Sequence, residues 1–566
     1  MLVYGDRIRV CDPRHLLARL GDMLDEISAE PAALARHARL VSVFIEAGQL
    51  AQGLADAERA LRGCDARSRS NDAAMQLLMA LAHVIGRSWR NETIELVAAR
   101  NALTTVTLCR CPEEIDTKRP EGYAFYAVYP EAYLLAAERA ATPPRHVIGV
   151  RSIGTSLAAA VAAGARANLP ATVRPTGEPF RRSIVVAPAL IAEWTATPVG
   201  TIAVVDEGPG LSGSSLGSML DVLEDHGVPL DRLACYPSHG GDLGPAASPR
   251  HRERWHRITR HVIDVDSLIA DRLPVWLREL IGPLDQPIVE ISAGEWRRRR
   301  YSNQRDWPAA VVHQERRKFL AHTAAGTWLA RFAGIGSECE GVLSRARAMH
   351  AAGFTPQVAG ACHGFLVERW HDELAPAGRV DLEQLGRYLG FRARLAAPFG
   401  GASMRELWHM AHHNIAAALG DDAAIPLDRW SPRLDELSAR VRPCAIDGRL
   451  HAWEWLDDGR GNVLKADAHD HHAAHDLIGC QDIAWDLAGA ATELGLDPDS
   501  LGLLTRVVAI HAGVDPDPEL VAFARICYPA FQLGRSALAI ATSTREEARR
   551  LTSEVTRYTG VLRRAL

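Results

Sequence analysis

Two acids, Asp206 and Glu207, stand at the end of a short apolar run, 202–205, and directly ahead of a bend rich in glycine and serine. Gly208, Gly210 and Gly213 let a backbone turn tightly with its N–H groups inward, and Ser212, Ser214 and Ser215 add hydroxyl donors at the start of an apolar-periodic segment, 216–223, that reads as a helix. The order is strand, loop, helix. A carboxylate pair beside a phosphate cradle suits either a ribose diol, whose hydroxyls donate to the acids, or a divalent cation that prefers oxygen ligands. An ordinary βα turn also favours glycine and serine, so the bend needs support from elsewhere in the chain.

Two upstream segments give it. The run 146–150 is a second apolar strand candidate, followed by Arg151, Ser152, Gly154 and Thr155 and then an alanine-rich helix over 157–166. Next, Arg174, Arg181 and Arg182 lie in a polar Pro/Gly loop between apolar runs, and guanidinium groups suit bidentate contact with phosphate. In this order the three segments resemble the type I phosphoribosyltransferases, whose signature is an apolar strand, two acids and a loop ending in Thr-Gly-x-Thr. Here Ser212-Gly213-Ser214-Ser215 stands for that ending, with serines for threonines and a loop one residue longer. The resemblance implies that Asp206 and Glu207 hold the ribose hydroxyls as the catalytic pair. Gly210 and the turn Ser212–Gly213–Ser214–Ser215 would bind the 5-phosphate, Arg151, Ser152, Gly154 and Thr155 the pyrophosphate, and Arg174, Arg181 or Arg182 would close a lid. It also implies 5-phosphoribosyl 1-diphosphate as substrate, with Mg2+ carried on the diphosphate, and an acceptor pocket built from residues 122–129 and 237–244.

A second constellation lies far downstream. Residues 447–456, DGRLHAWEWL, align without gaps on the catalytic loop of the aminoglycoside-phosphotransferase-like kinases, His-Gly-Asp-Leu-His-x-x-Asn-x-Leu. Residues 462–467 resemble the strand ending in that family's metal-binding aspartate, here Asp467, and 482–488 the segment whose aspartate, here Asp486, steadies the loop. The departures alter the chemistry. Arg449 holds the catalytic aspartate's place, Glu454 the metal-binding asparagine's and Arg331 the nucleotide-contacting lysine's. A kinase needs a carboxylate at the attacking hydroxyl, and a guanidinium, never deprotonated in proteins, cannot serve as one. Asp467 and Glu454 remain candidates for a cation, and ATP or another nucleotide for the cleft. The run 467–476 adds four histidines and three aspartates within ten residues, a composition that also suits turn caps and carboxylate pairs.

The surrounding pattern must position these groups. Residues 13–90 carry apolar residues at three- and four-residue steps and read as helices that cover a sheet or make a homodimer face. Strand candidates follow at 104–109, 122–128, 146–150, 183–187, 201–205 and 233–236, alternating with helices as a parallel sheet demands. Further on, 328–334 and 360–370 read as strands, and 340–352 and 382–395 as helices. The expected fold is α/β plus α+β: a helical region over 1–100, a doubly wound mostly parallel sheet of phosphoribosyltransferase type over 101–275, and a bilobal kinase-like domain over 288–566. The chain has 566 residues, 47% hydrophobic, with net charge −5, which offers no electrostatic case for nucleic acid or an anionic membrane surface. No apolar run reaches the length of a membrane span, and the ten cysteines lack metal or redox spacing, so a cytoplasmic protein is expected. Three functions stay open at this level: a transferase using the sugar diphosphate with an unidentified base or small acceptor, a sensor of a phosphorylated sugar nucleotide, and a small-molecule kinase in the C-terminal half.

Overall fold

The computed structural model describes residues 1–5, 8–178, 180–196, 199–210, 212–457 and 463–566. Its centre is a five-stranded parallel sheet in the spatial order Ala171–Val173, Pro144–Val150, Thr201–Val205, Leu233–Tyr236, Thr259–Arg260. Side chains alternate between two cores. Val147, Ala203, Val205, Ala234 and Tyr236 join one cluster, while Ile148, Val150, Ile202, Val204 and Cys235 join another on the opposite face. Burial on both faces is why these strands read as unbroken apolar runs. Helix Gly154–Ala165 and the N-terminal helices Ala33–Arg62 and Arg69–Trp89 cover the first face; Pro188–Thr195 and Ser214–Asp225 cover the second.

The chain leaves Pro144–Val150 for Ala171–Val173 on one side and then returns to Thr201–Val205 on the other. The sheet therefore reverses its winding between Pro144–Val150 and Thr201–Val205, and the crevice beyond their carboxyl ends is where ligands bind in open α/β sheets.

Three local expectations fail. Residues 104–109, read as a strand from their threonines and valine, belong to helix Val97–Thr107, because Ala99, Leu103 and Val106 recur at helical spacing and are buried together. The aromatic run 122–128 opens as a short helix, Glu121–Phe125, capped by Pro120. Residues 183–187 contribute only the end of a hairpin, Thr176–Glu178 with Arg181–Ser183, and an isolated bridge from Val186 to Asp65.

Downstream, a five-stranded antiparallel sheet runs Val289–Glu290, Lys318–Thr323, Gly326–Phe332, Phe365–Arg369, Val358–Cys362, with helix Ser337–Ala351 packed on it. A mostly helical lobe follows, carrying Leu382–Ala393, Ala484–Glu493 and Pro518–Ile540, and a small sheet of Ala375–Pro376, Trp455–Asp457 and Val463–Lys465. Helix Val265–Ile281 runs through residue 275 and packs on Val358–Cys362, and one apolar core joins the N-terminal helices, a face of the parallel sheet and the antiparallel sheet. Among the described residues no helix is long and apolar enough to cross a membrane.

Candidate functional site

The two loops that leave the reversal point touch. Gly149 and Gly154 carry no Cβ because there is no room for one: at Gly154 it would lie 2.8 Å from the Val205 carbonyl oxygen, and at Gly149 it would lie 2.2 Å from the Gly154 oxygen. The turn after Pro144–Val150 is thereby held against the end of Thr201–Val205, beside Asp206. Thr155 is fully buried in this turn, and its hydroxyl has no hydrogen-bond partner. On the other loop, Gly213 takes a left-handed conformation (φ 58°) and Ser212 Oγ accepts the Ser214 N–H at 3.2 Å, which starts helix Ser214–Asp225. Gly210 is exposed and left-handed, and Leu211 lies outside the described residues. Ser215 is half-buried in the first helical turn.

Asp206 and Glu207 sit between these bends. Each keeps some exposure to solvent, yet protein surrounds them closely enough that burial pushes Asp206 up to about 7. Burial, with Asp206 and Glu121 adding repulsion, pushes Glu207 up to about 8. The Gly122 N–H donates to Glu207 Oε2 at 3.1 Å, and the Ser238 N–H to the Glu207 carbonyl at 3.3 Å. Both segments expected to shape an acceptor pocket thus flank the acid pair, and residues 237–244 also brace the glycine bend, through Gly244 N–H to Gly210 O at 3.0 Å.

The arginines behave differently from the expectation. Arg151 is held in a buried network, with Nε 3.0 Å from Asp56 Oδ1 and a further ion pair to Asp65. Arg174 holds Asp56 through Nε at 2.8 Å, and its backbone N–H donates to Asp65 Oδ2 at 2.7 Å. Although burial alone would raise the Asp56 carboxyl, Arg174 and Arg151 outweigh it and hold it below its usual value. Asp56 and Asp65, from the N-terminal helices and the turn after them, carry no sequence signature; only the tertiary fold brings them here. The charge of Arg174 still reaches Asp206, although Arg174, like Arg151, is paired with acids. Arg181 is exposed on its hairpin, and Arg182 donates to the Gly177 carbonyl at 2.6 Å. Ser152, half-buried, is left with Gly154 and Thr155 as the part of that loop facing the neighbouring bend.

The second constellation lines a cleft of about 210 Å³ between the antiparallel sheet and the helical lobe. Asp486, at the start of helix Ala484–Glu493, accepts the N–H groups of Asp447 and Gly448, both at 2.8 Å, and so fixes the loop that carries Arg449. Lys465 Nζ lies 3.3 Å from Asp447 Oδ2 and 2.6 Å from Glu454 Oε2, an ammonium set between two carboxylates. Asp467 faces other cations, with Arg331 Nε at 3.6 Å and His471 Nε2 at 3.7 Å. Arg331 in turn holds Asp470, at 3.1 Å to both oxygens. The His/Asp run is therefore dispersed: His469 bonds Glu368 at 2.7 Å, His471 bonds Asp447 at 3.1 Å and His475 pairs with Glu121 at 2.8 Å. Asn462, the first residue of the expected metal-binding strand, lies outside the described residues.

No protein-family model matches this sequence, and no curated protein sequence is significantly similar to it. Solved structures with similarity include a spectinomycin phosphotransferase in complex with ADP and spectinomycin, 12% identical, with TM-score 0.34 over 52% of this chain and 97% of that one. A choline/ethanolamine kinase family protein from Mesorhizobium loti is 16% identical, with TM-score 0.31 over 53% of this chain and 99% of that one. The choline kinase LicA from Streptococcus pneumoniae is 13% identical, with TM-score 0.32 over 43% and 90%.

The raised carboxyls have a measurable sign. The folded protein binds protons at Asp206 and Glu207 that the unfolded chain, with ordinary values of 3.8 and 4.5, has released, so stability falls as pH rises from those values through about 7 and about 8. Glu207→Gln should remove much of that fall: thermal midpoints of variant and wild type should agree near the lower limit and separate at the upper, the variant melting higher. Parallel curves across the range would show that Glu207 is solvated in the folded protein.

Proposed function

We propose that the α/β half is a transferase of phosphoribosyltransferase type, and one observation carries the reading: two phosphate-suited βα loops meet at the reversal point of a parallel sheet with a desolvated acid pair between them. In this reading the ribose hydroxyls of 5-phosphoribosyl 1-diphosphate donate to Asp206 and Glu207, offsetting the partial desolvation that raises both carboxyls. The 5-phosphate rests on the N–H groups and hydroxyls of the Ser212–Ser215 turn at the start of helix Ser214–Asp225. The diphosphate takes the backbone of Ser152–Thr155, with the exposed Arg181 as the candidate cation, because Arg151 and Arg174 are both already held by acids.

Transfer then breaks the C1–oxygen bond, its electron pair leaving with the diphosphate, while an acceptor atom bonds to C1 from the space that residues 122–129 and 237–244 bound. The chain's contribution is to orient the sugar, neutralise the departing anion and exclude water. Two carboxylates and a diphosphate form an oxygen-rich donor set that fits Mg2+, which would supply charge neutralisation on the diphosphate.

The remainder of the chain supports a kinase-like cleft that has lost phosphoryl transfer. Asp486 steadies the loop as the resemblance implies, but Lys465 supplies one positive charge between Asp447 and Glu454, where a divalent cation would be repelled, and Arg449 stands at the base position.

Two assays test these statements. Pyrophosphate release from 5-phosphoribosyl 1-diphosphate with Mg2+ and a panel of bases and small acceptors should occur with at least one acceptor and drop by roughly a hundredfold or more in Asp206→Asn/Glu207→Gln, as loss of charged hydrogen bonds in the transition state predicts; equal release by wild type and variant would reject the site. ATP consumption should stay at background across alcohol and amine acceptors, and turnover abolished by Asp467→Asn would overturn the second statement.

A further inference from the structure

The cleft holds six basic side chains, and four of them already have partners. Arg331 is engaged by Asp470 and Asp467, Arg316 by Asp470 and the Ala124 carbonyl, and Lys318 by Glu315 at 2.9 Å. Arg300 donates to the carbonyls of His371 and Leu374 and lies 3.9 Å over the Trp370 ring. Arg449 and Arg535 differ: among the described residues neither guanidinium forms an ion pair or a hydrogen bond, although both line the same cavity.

These two also repel each other. Burial, followed by the charge of Arg449, pushes Arg535 down to about 10, and Asp476 offsets this only in part while its own carboxylate accepts the Ile478 N–H at 3.0 Å. Both side chains keep some exposure, and two like charges that share a cavity without a counterion favour an anion, which removes the repulsion between them.

The position and the size of the space narrow the ligand. Arg331, where the resemblance would put the nucleotide-contacting cation, is closed off by Asp470, so the uncompensated positive charge of the cleft lies at Arg449 and Arg535. The cavity, about 210 Å³, is much larger than a lone phosphate needs, and aromatic walls surround it: Tyr126 and Phe125 from the α/β half, and Trp453 stacked on His451 with ring centres 4.2 Å apart. We propose that this cleft binds an organic phosphomonoester, its phosphate gripped by Arg449 and Arg535 and its body lying along the aromatic wall of Tyr126 and Trp453. The proposal does not rest on transfer at the sheet's reversal point.

Calorimetry on the full-length chain tests it, with the Arg449→Gln/Arg535→Gln double variant as the baseline for any phosphate binding at the α/β loops. The probes are AMP and ribose 5-phosphate, a nucleotide and a sugar source of the same group, with adenosine and ribose as uncharged controls. At least one phosphomonoester should bind, more weakly as salt rises, and Arg449→Gln and Arg535→Gln should each lower its affinity by roughly tenfold to a hundredfold, the range for one charge-assisted contact. The uncharged controls should bind more weakly than their esters. The Arg535→Gln apoprotein should melt no lower than wild type, since it loses a repulsion and no partner. Binding unchanged by both substitutions, equal binding of an ester and its uncharged control, no binding of either ester at millimolar concentration, or a lower melting point for Arg535→Gln would each overturn the proposal.

Discussion

The backbone of Gly154 lies against the carbonyl of Val205, and that contact fixes everything proposed for the α/β half. It brings the turn after one strand to the end of its neighbour, so two loops separated by some fifty residues meet at the same end of the sheet. Any side chain at Gly149 or Gly154 would pry them apart. The carboxylates between the loops are then desolvated by geometry and not by sequence context, and their raised proton affinity marks a place where the fold has given up stability. A group whose burial costs free energy in the empty protein is a group whose cost a ligand's hydroxyls can offset.

A second constraint links the halves. The short helix Glu121–Phe125 faces both ways: the Gly122 N–H meets Glu207, Glu121 pairs with His475, and Tyr126, just beyond the helix, sits 3.4 Å from His475 Nδ1. Arg119 adds an ion pair to Glu338 and donates to the Ala473 carbonyl at 2.7 Å. One segment of eight residues therefore contributes walls to two sites. Together with an apolar core that runs from the N-terminal helices through both sheets, this makes the α/β half and the downstream lobes a single packed unit among the described residues.

Legibility in the sequence followed burial pattern. Strands buried on both faces, Pro144–Val150, Thr201–Val205 and Leu233–Tyr236, announce themselves as continuous apolar runs, and the glycine-serine bend announces a tight turn. Residues 104–109 carry β-branched side chains that suit a strand, but the three- and four-residue spacing of Ala99, Leu103 and Val106 buries a helix face instead. Carboxylate pairing of the 467–476 histidines is legible in their composition, but the other charge partners are not. Asp56 and Asp65 neutralise Arg151 from far upstream, Lys465 slips between Asp447 and Glu454 from a neighbouring strand, and Arg535 reaches the cleft from helix Pro518–Ile540. Residue types name what a group can do; only the fold decides whether a counter-charge has already claimed it.

The central claim is that one sugar diphosphate spans the two loops, and a crystal structure of the protein soaked with 5-phosphoribosyl 1-diphosphate and Mg2+ tests it most directly. Density is expected for the diphosphate along residues 152–155, for the 5-phosphate at residues 212–215, and for the ribose hydroxyls on Asp206 and Glu207. Density confined to the Arg449 cleft, or a crevice left empty at saturating ligand, would contradict it.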